Sequence, residues 1–368
     1  MFFKNYPNPS SSLLLALSVL LVACGGGGGG SGSGPLTSDT LVSQTAPSGP
    51  MASDAPVLIG TPATGAVILK APVLFFNDTG ISVTDGITNN GKWWVESVGI
   101  DWEFSLDKGV TWTRGSGTTF DVKGDGAKMI WVRARDDLGN TSEIVYVNCV
   151  LDTMAPAPVA ITGVAEGSTN ILKLAGIEPG AKWEYSFNEQ RIWLPGTGNG
   201  LGILGNNLSR VWLRQIDMAG NISVDQAFDL KTPNMLLHEA SSDPLQPSVL
   251  SLNLFTFLIH GEVVRGDADY VRWDIPKGQQ LVSVRLVQYV SEDAISFYAL
   301  QPNKVFDAGV NVSRMLVYGH MGPSDLTRNV LASVPKSQLG EGAMTLWFQQ
   351  TGLKPTQYAI EVVLASAD

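Results

Sequence analysis

Cysteine is scarce in this sequence of 368 residues, which contains only Cys24 and Cys149. Two cysteines exclude the disulfide framework that stabilises many small secreted domains, and a chain of this length does not need one. The residues around Cys24, described below, indicate that this cysteine is modified and not disulfide-bonded, which leaves Cys149 without a disulfide partner in the chain. We therefore expect Cys149 to be a buried thiol on a strand.

Signs of catalysis are also lacking. The three histidines are His238, His260 and His320, and none has the spacing to a second His or to a Glu that zinc sites use. The sequence contains no Gly-x-Ser-x-Gly motif and no glycine-rich loop that leads into a Lys-Ser/Thr phosphate site. We therefore expect no enzyme activity and no catalytic cofactor. One alternative stays open, a hydrolase in which His260 or His320 meets a carboxylate in the C-terminal domain.

Long apolar runs are missing after residue 24, as is the periodicity of long helices. The earlier apolar run Leu13–Leu21 is too short to cross a bilayer as a helix. Positive charge is in deficit too, because 34 acidic residues outnumber 24 lysines and arginines and give a formal net charge of -10. Such an acidic surface argues against nucleic acid and anionic membrane surfaces as partners.

The N-terminus does contain the pattern of a signal peptide. Lys4 provides a basic start, and Leu13–Leu21 provides the apolar run. The following Leu21-Val22-Ala23-Cys24 resembles the lipobox of bacterial lipoproteins, in which the cysteine carries lipid chains and becomes the mature N-terminus. The resemblance implies cleavage of residues 1–23 and a membrane contact through the lipid. The resemblances of the second repeat unit and the C-terminal domain described below imply a Gram-negative bacterium, in which Gly25 rather than Asp after the cysteine favours the outer membrane. We therefore expect the outer membrane or cell surface.

Composition divides the remainder of the chain. Residues 24–55 are rich in glycine and serine and are expected to form a flexible, lipid-anchored linker. Runs of valine, isoleucine and threonine bounded by turn residues fill the rest and predict β-structure. We assign three domains to this part, residues 56–153, 154–234 and 235–368.

An internal repeat with a constant offset of 81 residues covers the first two domains. The matched segments are Asp101–Ser105 with Lys182–Ser186, Trp112 with Trp193, Trp131–Arg133 with Trp212–Arg214, and Asp136–Asn140 with Asp217–Asn221. Alternation of apolar and polar residues predicts half-buried strands, and about seven short strands per unit fit a β-sandwich. Four matched tryptophans are expected to fill the two cores: Trp102, Trp131, Trp183 and Trp212.

The first repeat unit resembles the bacterial Ig-like repeats of large secreted adhesins. The motifs that carry the resemblance are Asp78-Thr79-Gly80, Thr84–Asn89, Trp102–Asp107, Asp137–Asn140 and Leu151–Thr153. The second unit matches less fully, because it lacks counterparts of the first two motifs. The resemblance implies two Ig-like sandwiches in tandem.

The C-terminal domain resembles the pre-peptidase C-terminal type of β-sandwich, an accessory domain of exported enzymes and surface proteins. Gly266–Trp273 near its start and Leu346–Gly352 and Tyr358–Val363 near its end carry this resemblance. The expected fold class is therefore all-β, with two tandem Ig-like β-sandwiches followed by a third, jelly-roll-like β-sandwich domain.

Four aspartates are candidate metal ligands at the junction of the two repeat units: Asp78, Asp85, Asp152 and Asp217. Strand direction places the loop after the first strand, the end of unit one and a turn of unit two at this junction. Ca²⁺ accepts six to eight oxygens in irregular geometry. Because adhesins of the resembled family hold calcium at such junctions, the resemblance implies one structural interdomain calcium. The alternative is that these aspartates only make Asx-turns.

A second acidic group lies near the start of the C-terminal domain. Asp267 and Asp269 are two residues apart, which would place them on one face of a strand, and Asp274 follows. This group is either a second cation site or, as we favour, a set of solvated turn carboxylates.

Trp93 and Trp94 are adjacent, so on a strand one of them must face outward. This makes the pair a candidate ligand contact, since flat aromatic rings also stack on sugars. We expect a non-catalytic surface protein for adhesion, with the Ig-like units as spacer and the C-terminal sandwich as binding module. The alternative is a carbohydrate-binding or accessory protein of an exported enzyme system. Partners would then be a surface protein or a glycan, and the chain is expected to be monomeric.

Overall fold

The computed structural model describes residues 68–96, 101–251 and 253–367. Cys24, the signal peptide of residues 1–23 and the linker of residues 24–55 lie outside the described residues, so the lipid anchor stays a prediction. The described parts consist of strands, loops and three-residue 3₁₀ helices at Val312–Arg314, Pro323–Asp325 and Lys336–Gln338. No helix among them has the length and apolar character to cross a membrane. This confirms the all-β fold class.

The described residues up to 151 form a sandwich of two sheets. Its strands are β1 (Val73–Phe76), β2 (Ile87–Thr88), β3 (Lys92–Glu96), β4 (Asp101–Ser105), β5 (Thr113–Arg114), β6 (Thr119–Asp121), β7 (Gly126–Arg135) and β8 (Val145–Leu151). The sheets have the orders β1-β3-β6 and β2-β8-β7-β4-β5. Trp93, Trp102, Ile130 and Cys149 pack in the core between them. Burial confirms the expectation for Cys149 and raises the pKa of its thiol to about 11, which keeps it unreactive.

The second sandwich follows directly. Its strands are β9 (Ala160–Glu166), β10 (Thr169–Ala175), β11 (Lys182–Ser186), β12 (Leu194–Gly196), β13 (Gly200–Gly205), β14 (Arg210–Ile216) and β15 (Gln226–Asp229). Strands β12-β11-β14-β15 form one sheet in this order. The C-terminal strands are β16 (Ser248–Val249), β17 (Thr256–Val263), β18 (Ala268–Ile275), β19 (Gln279–Val290), β20 (Ser296–Gln301), β21 (Val317–Met321), β22 (Gly342–Gln350) and β23 (Thr356–Ser366).

One sheet is shared by the second and third sandwiches. It contains six strands in the order β19-β23-β17-β13-β10-β9, while β16-β18-β22-β20-β21 form the other C-terminal sheet. Strands β13 and β17 pair in parallel, from Leu201 opposite Thr256 to Gly205 opposite His260. A Cβ at Gly202 would overlap the Phe257 ring, so glycine permits this close approach. The boundary predicted at residue 234 is therefore crossed by a continuous sheet.

Side chains from each of the two sandwiches pack in the apolar core of the other, across the shared sheet. Leu258 and Ala359 of the C-terminal strands pack in the core of the second sandwich. Ile171 and Leu204 of the second sandwich pack in turn in the C-terminal core. Each of these side chains is fully buried. Because burying an aliphatic side chain contributes about 1.5–3 kcal/mol, the two sandwiches stabilise each other.

A buried ionic group joins three strands of this fused pair. Glu361 on β23 is fully buried. Its Oε1 accepts a hydrogen bond of 2.9 Å from the Tyr185 hydroxyl on β11, and its Oε2 accepts one of 2.7 Å from Arg285 Nε on β19. Burial, then the Glu361 charge, raises the pKa of Tyr185 well above its usual value, so the hydroxyl remains a donor. The Glu361 carboxylate thus has one partner in the shared sheet, Arg285, and one in the other sheet of the second sandwich, Tyr185.

The 81-residue repeat is reproduced in side-chain contacts. Trp102 Nε1 donates to the Gly117 carbonyl at 2.8 Å, and Trp183 Nε1 donates to the Gly198 carbonyl at 2.7 Å. Both indoles are buried in their cores. In each unit an arginine also lies 3.9 Å from the ring centre of a tryptophan; the pairs are Arg133 with Trp112 and Arg214 with Trp193. The units therefore share one packing scheme.

The expectation that all four matched tryptophans fill the cores is wrong for Trp131 and Trp212. Both side chains are half-buried and lie on outer sheet faces. The reason is strand alternation, because Ile130 and Val132 point into the first core and turn Trp131 outward.

Alanine at two glycines that contact the core indoles is expected to destabilise the fold. A Cβ at Gly115 would overlap the Trp102 ring, and a Cβ at Gly196 would overlap the Trp183 ring. Overpacking a filled core usually costs about 1–3 kcal/mol, so we expect a loss of that size for Gly115→Ala and Gly196→Ala in urea unfolding. Gly340→Ala is the control, because its Cβ would meet nothing within 4 Å. Equal stability of all three variants would contradict this packing.

Candidate functional site

Three segments meet at the junction of the first two sandwiches, as the strand directions predict. Thr79 Oγ1 donates to the Ala219 carbonyl at 2.8 Å, and Asn221 Nδ2 donates to the Asp152 carbonyl at 2.8 Å. A Cβ at Gly80 would overlap the backbone of Met218, so the two backbones touch. The junction is thus held by backbone carbonyls and short polar side chains.

The four candidate aspartates at this junction are engaged mainly in local turns. Asp217 Oδ1 accepts from the Asn221 amide at 2.8 Å, and Asp85 Oδ1 accepts from the Ile87 amide at 3.0 Å. Asp152 Oδ1 accepts from the Met154 amide at 3.1 Å. Asp78 Oδ2 accepts from Gly86 at 2.8 Å, while its Oδ1 is buried without a partner. Burial is the main cause of the raised pKa of Asp78.

These carboxylates do not gather into one ligand set. Within the part of the chain that the structure describes, no three His, Cys, Asp or Glu side chains are placed to hold a metal ion. A calcium ion at the junction would need backbone oxygens or water beside Asp78. Interdomain calcium therefore stays a prediction.

Calcium is expected to raise the melting temperature of the chain if that prediction is right. A ligand at 100 times its Kd stabilises the folded state by about 2.7 kcal/mol. The measurement is thermal unfolding with CaCl₂ and with EDTA, together with calorimetric titration. Asp78→Asn should abolish the rise, whereas Asp136→Asn, in the corresponding turn of unit one, should leave it intact. Absence of both heat and stabilisation would end the calcium hypothesis.

The second acidic group is divided by the structure. Asp274 is exposed and lies 3.3 Å from Arg272, whereas Asp269 is only 1 % exposed. Asp269 Oδ2 accepts a 2.6 Å hydrogen bond from the Tyr358 hydroxyl. Burial raises the pKa of Asp269 to about 7. The expectation of a solvated turn carboxylate is therefore wrong for Asp269.

The two histidines of the hydrolase alternative are placed against aromatic rings. His260 lies edge-on to Phe187 with 6.3 Å between ring centres, and His320 lies edge-on to Phe297 at 5.7 Å. Burial lowers the pKa of His260 to about 4 and keeps it neutral. Among the described residues, neither imidazole belongs to a group of side chains that could hold a metal ion, and neither forms an ion pair with a carboxylate. Geometry for a His-carboxylate base is not assembled there.

Trp93 and Trp94 face opposite sides of β3. Trp93 is 1 % exposed and belongs to the core, while Trp94 is half-buried on the outer face. Trp94 lies parallel to Phe75 of β1, with ring centres 6.0 Å apart and 4° between the planes. Phe75 is 46 % exposed. We call this outward pair the aromatic platform.

Polar side chains surround the aromatic platform. Lys92 Nζ lies 5.8 Å from the centre of the Trp94 ring. Cross-strand pairing places Thr119 opposite Trp94 and Asp121 opposite Lys92 on the same face. Sequence reasoning missed Phe75; the alternation in Val73–Phe76 hinted at it, but only the register of β1 with β3 sets it beside Trp94.

Comparison with known proteins yields structural similarities at very low identity. A structure of carbohydrate-binding modules from the β-sandwich superfamily is 8% identical, with 81% of this chain and 94% of that chain covered and a TM-score of 0.20. The FN1–FN3 domains of chicken CNTN1 are 9% identical, with 77% and 97% covered and a TM-score of 0.19. TM-scores this low carry no argument about function. No family model matches the sequence, and no curated protein matches it.

Proposed function

We propose that the chain is a non-catalytic surface protein that binds a ligand presented outside the cell. Lipid on Cys24 would attach it to the outer membrane, and the linker would act as a spacer. The first sandwich would present the binding surface, and the second and C-terminal sandwiches, joined by the shared sheet, would form one rigid unit behind it. Adhesion or surface interaction is the function that this arrangement supports best.

The observation that carries the proposal is the aromatic platform. Phenylalanine and tryptophan each bury about 150–250 Å² when they pack in a core, so a Phe75 that is 46 % exposed beside a half-buried Trp94 forgoes part of that stabilisation. Phe75 and Trp94 are nonetheless presented side by side on an outer sheet face. Two parallel aromatic rings that are partly exposed on one face are a candidate contact surface.

A saccharide is the second candidate ligand, and the surroundings of the platform favour it. Flat rings can stack on the apolar face of a sugar ring. The ammonium of Lys92, the hydroxyl of Thr119 and the carboxylate of Asp121 are on the same face and can hydrogen-bond sugar hydroxyls. The site is small, with one pair of rings and a few polar groups, as suits a single sugar chain.

Glycan-array binding of the full chain separates the two candidates. If the ligand is a saccharide, we expect binding that Trp94→Ala reduces at least about tenfold, because truncating a central aromatic hot spot costs about 2 kcal/mol or more. Tyr318→Ala is the matched control, since this tyrosine is 49 % exposed on the C-terminal sandwich. Binding that survives Trp94→Ala would exclude the platform. An array without binding would leave a protein ligand as the proposal.

A further inference from the structure

An open groove runs along the outer face of the five-stranded sheet in the first sandwich. One depression of about 790 Å³ lies between β7, β8 and the turn at Asp107–Lys108. A second, of about 370 Å³, continues along the same strands at Trp131 and Tyr146. From Ala127 to Arg133 the outward side chains of β7 span about 20 Å at roughly 3.3 Å per residue. We call this surface the β7–β8 groove.

The floor of the β7–β8 groove is apolar, and its rim is charged. Cross-strand pairs on the outer face set Met129 opposite Asn148 and Trp131 opposite Tyr146. Tyr146 is 57 % exposed and Val150 is 39 % exposed. Charged side chains of both signs line the outside: Asp85, Asp107, Lys108, Lys128, Arg133 and Glu143. An aromatic and methionine centre with a polar rim is the anatomy of a protein–protein contact.

The second repeat unit has an ion pair at the corresponding positions of the same face. The residues 81 positions after Met129 and Asn148 are Arg210 and Asp229, which pair across β14 and β15 in the same register. Arg210 Nε donates to Asp229 Oδ1 at 2.6 Å, and the guanidinium lies 5.9 Å from the Trp212 ring centre. The same backbone scheme thus has a charged pair beside its tryptophan in unit two and the uncharged pair Met129 and Asn148 in unit one.

The counterpart of Tyr146 follows the same pattern. The residue 81 positions further along is Ala227, which lies opposite Trp212 on β15. Unit two therefore shows that the fold does not require a methionine or a tyrosine at these positions.

We propose that the β7–β8 groove binds a polypeptide partner that inserts apolar side chains over Met129 and Trp131. The side chains of Leu106, Met129 and Val150 offer sugar hydroxyls no strong hydrogen-bond partner, whereas they can pack against apolar side chains of a polypeptide. Eighteen residues line the two depressions, close to the roughly 20–30 on one side of a standard protein interface. This inference rests on the proposed role in surface binding and is independent of the aromatic platform.

The sharpest test introduces the Arg–Asp pair of unit two at the corresponding positions of unit one, Met129 and Asn148. A random 12-residue peptide library displayed on phage is selected on the full chain, and the affinities of the enriched peptides are measured. We expect peptides with apolar residues, bound at least about tenfold more weakly by Met129→Arg combined with Asn148→Asp. The reciprocal Arg210→Met with Asp229→Asn should open the same face of unit two and add binding. Trp94→Ala should leave peptide binding unchanged.

Folding of the transplanted variant is checked by thermal unfolding. We expect it to fold, because the same pair already occupies this register in unit two. If the variant unfolds, Tyr146→Ala takes its place. An empty selection, or equal affinity for the chain and the transplanted variant, would overturn the proposal. Glycan-array binding lost in the transplanted variant and kept in Trp94→Ala would overturn the polypeptide assignment and point to a saccharide in the groove. Glycan binding that is lost only in Trp94→Ala would assign the saccharide to the aromatic platform and leave the β7–β8 groove to the polypeptide.

Discussion

Replacing Arg285 by methionine is expected to destabilise the fused second and third sandwiches by about 3–5 kcal/mol. Glu361 is fully buried, and its partners are Arg285 and Tyr185. Removing one member of a buried ion pair leaves a charge that neither water nor protein compensates, which is why the cost is large. Urea unfolding monitored by tryptophan fluorescence is the measurement.

Two further variants make this result specific to the buried charge. Arg210→Met breaks the exposed pair with Asp229, whose side chains are 47% and 57% exposed, and should cost far less stability than Arg285→Met, because water solvates the remaining charge. Removing all polar members together, with Arg285→Met, Glu361→Leu and Tyr185→Phe, should recover most of the loss. An Arg285→Met variant as stable as Arg210→Met would show that Glu361 is not held as the structure has it.

Asp269 is expected to make the protein less stable as the pH rises from about 4 to about 7. Burial raises the folded-state pKa of this carboxyl to about 7 from an ordinary value of 3.8. Between these values the folded chain holds a proton that the unfolded chain has released, so stability falls with rising pH and the loss is complete above about 7. The difference between the two pKa values corresponds to at most roughly 4 kcal/mol.

Asp269→Asn removes this titration and keeps an oxygen that accepts from the Tyr358 hydroxyl. We therefore expect the variant to be as stable as the parent chain near pH 4 and more stable by up to about 4 kcal/mol at pH 8. Asp274→Asn, exposed on the same strand, is the control and should leave the pH dependence unchanged. Parallel stability curves for Asp269→Asn and the parent chain would contradict the buried site.

The repeat and the all-β class could be predicted because their signals are local. Strand alternation and a constant offset placed Trp102 and Trp183 in equivalent interior positions, and the structure confirms this. Strand direction also brought Asp152 and the turn at Asp217–Asn221 to one junction. The same alternation, read one residue out of phase for Trp131, gave a wrong position, since a single-residue shift moves a side chain to the opposite face.

The shared sheet and both surfaces could not be predicted in the same way. Parallel pairing of β13 with β17 joins residues 55 positions apart, and nothing in Leu201–Gly205 or Thr256–His260 specifies the other as its partner. Phe75 became a neighbour of Trp94 only through the register of β1 with β3. The sequence contains one sign of the β7–β8 groove, since Met129 occupies the position of Arg210 in unit two. This difference indicates a surface groove only once the structure shows that Met129 lies on the outer face of the sheet.

We propose that the outward aromatic rings bind a ligand that no group of the chain transforms. The most direct measurement incubates the full chain with the polysaccharide it retains most strongly and follows both retention and newly formed reducing ends. Retention that depends on Trp94 together with a constant number of reducing ends is the predicted result. A rise in reducing ends that disappears in His260→Ala or His320→Ala would reveal a hydrolase and contradict the claim.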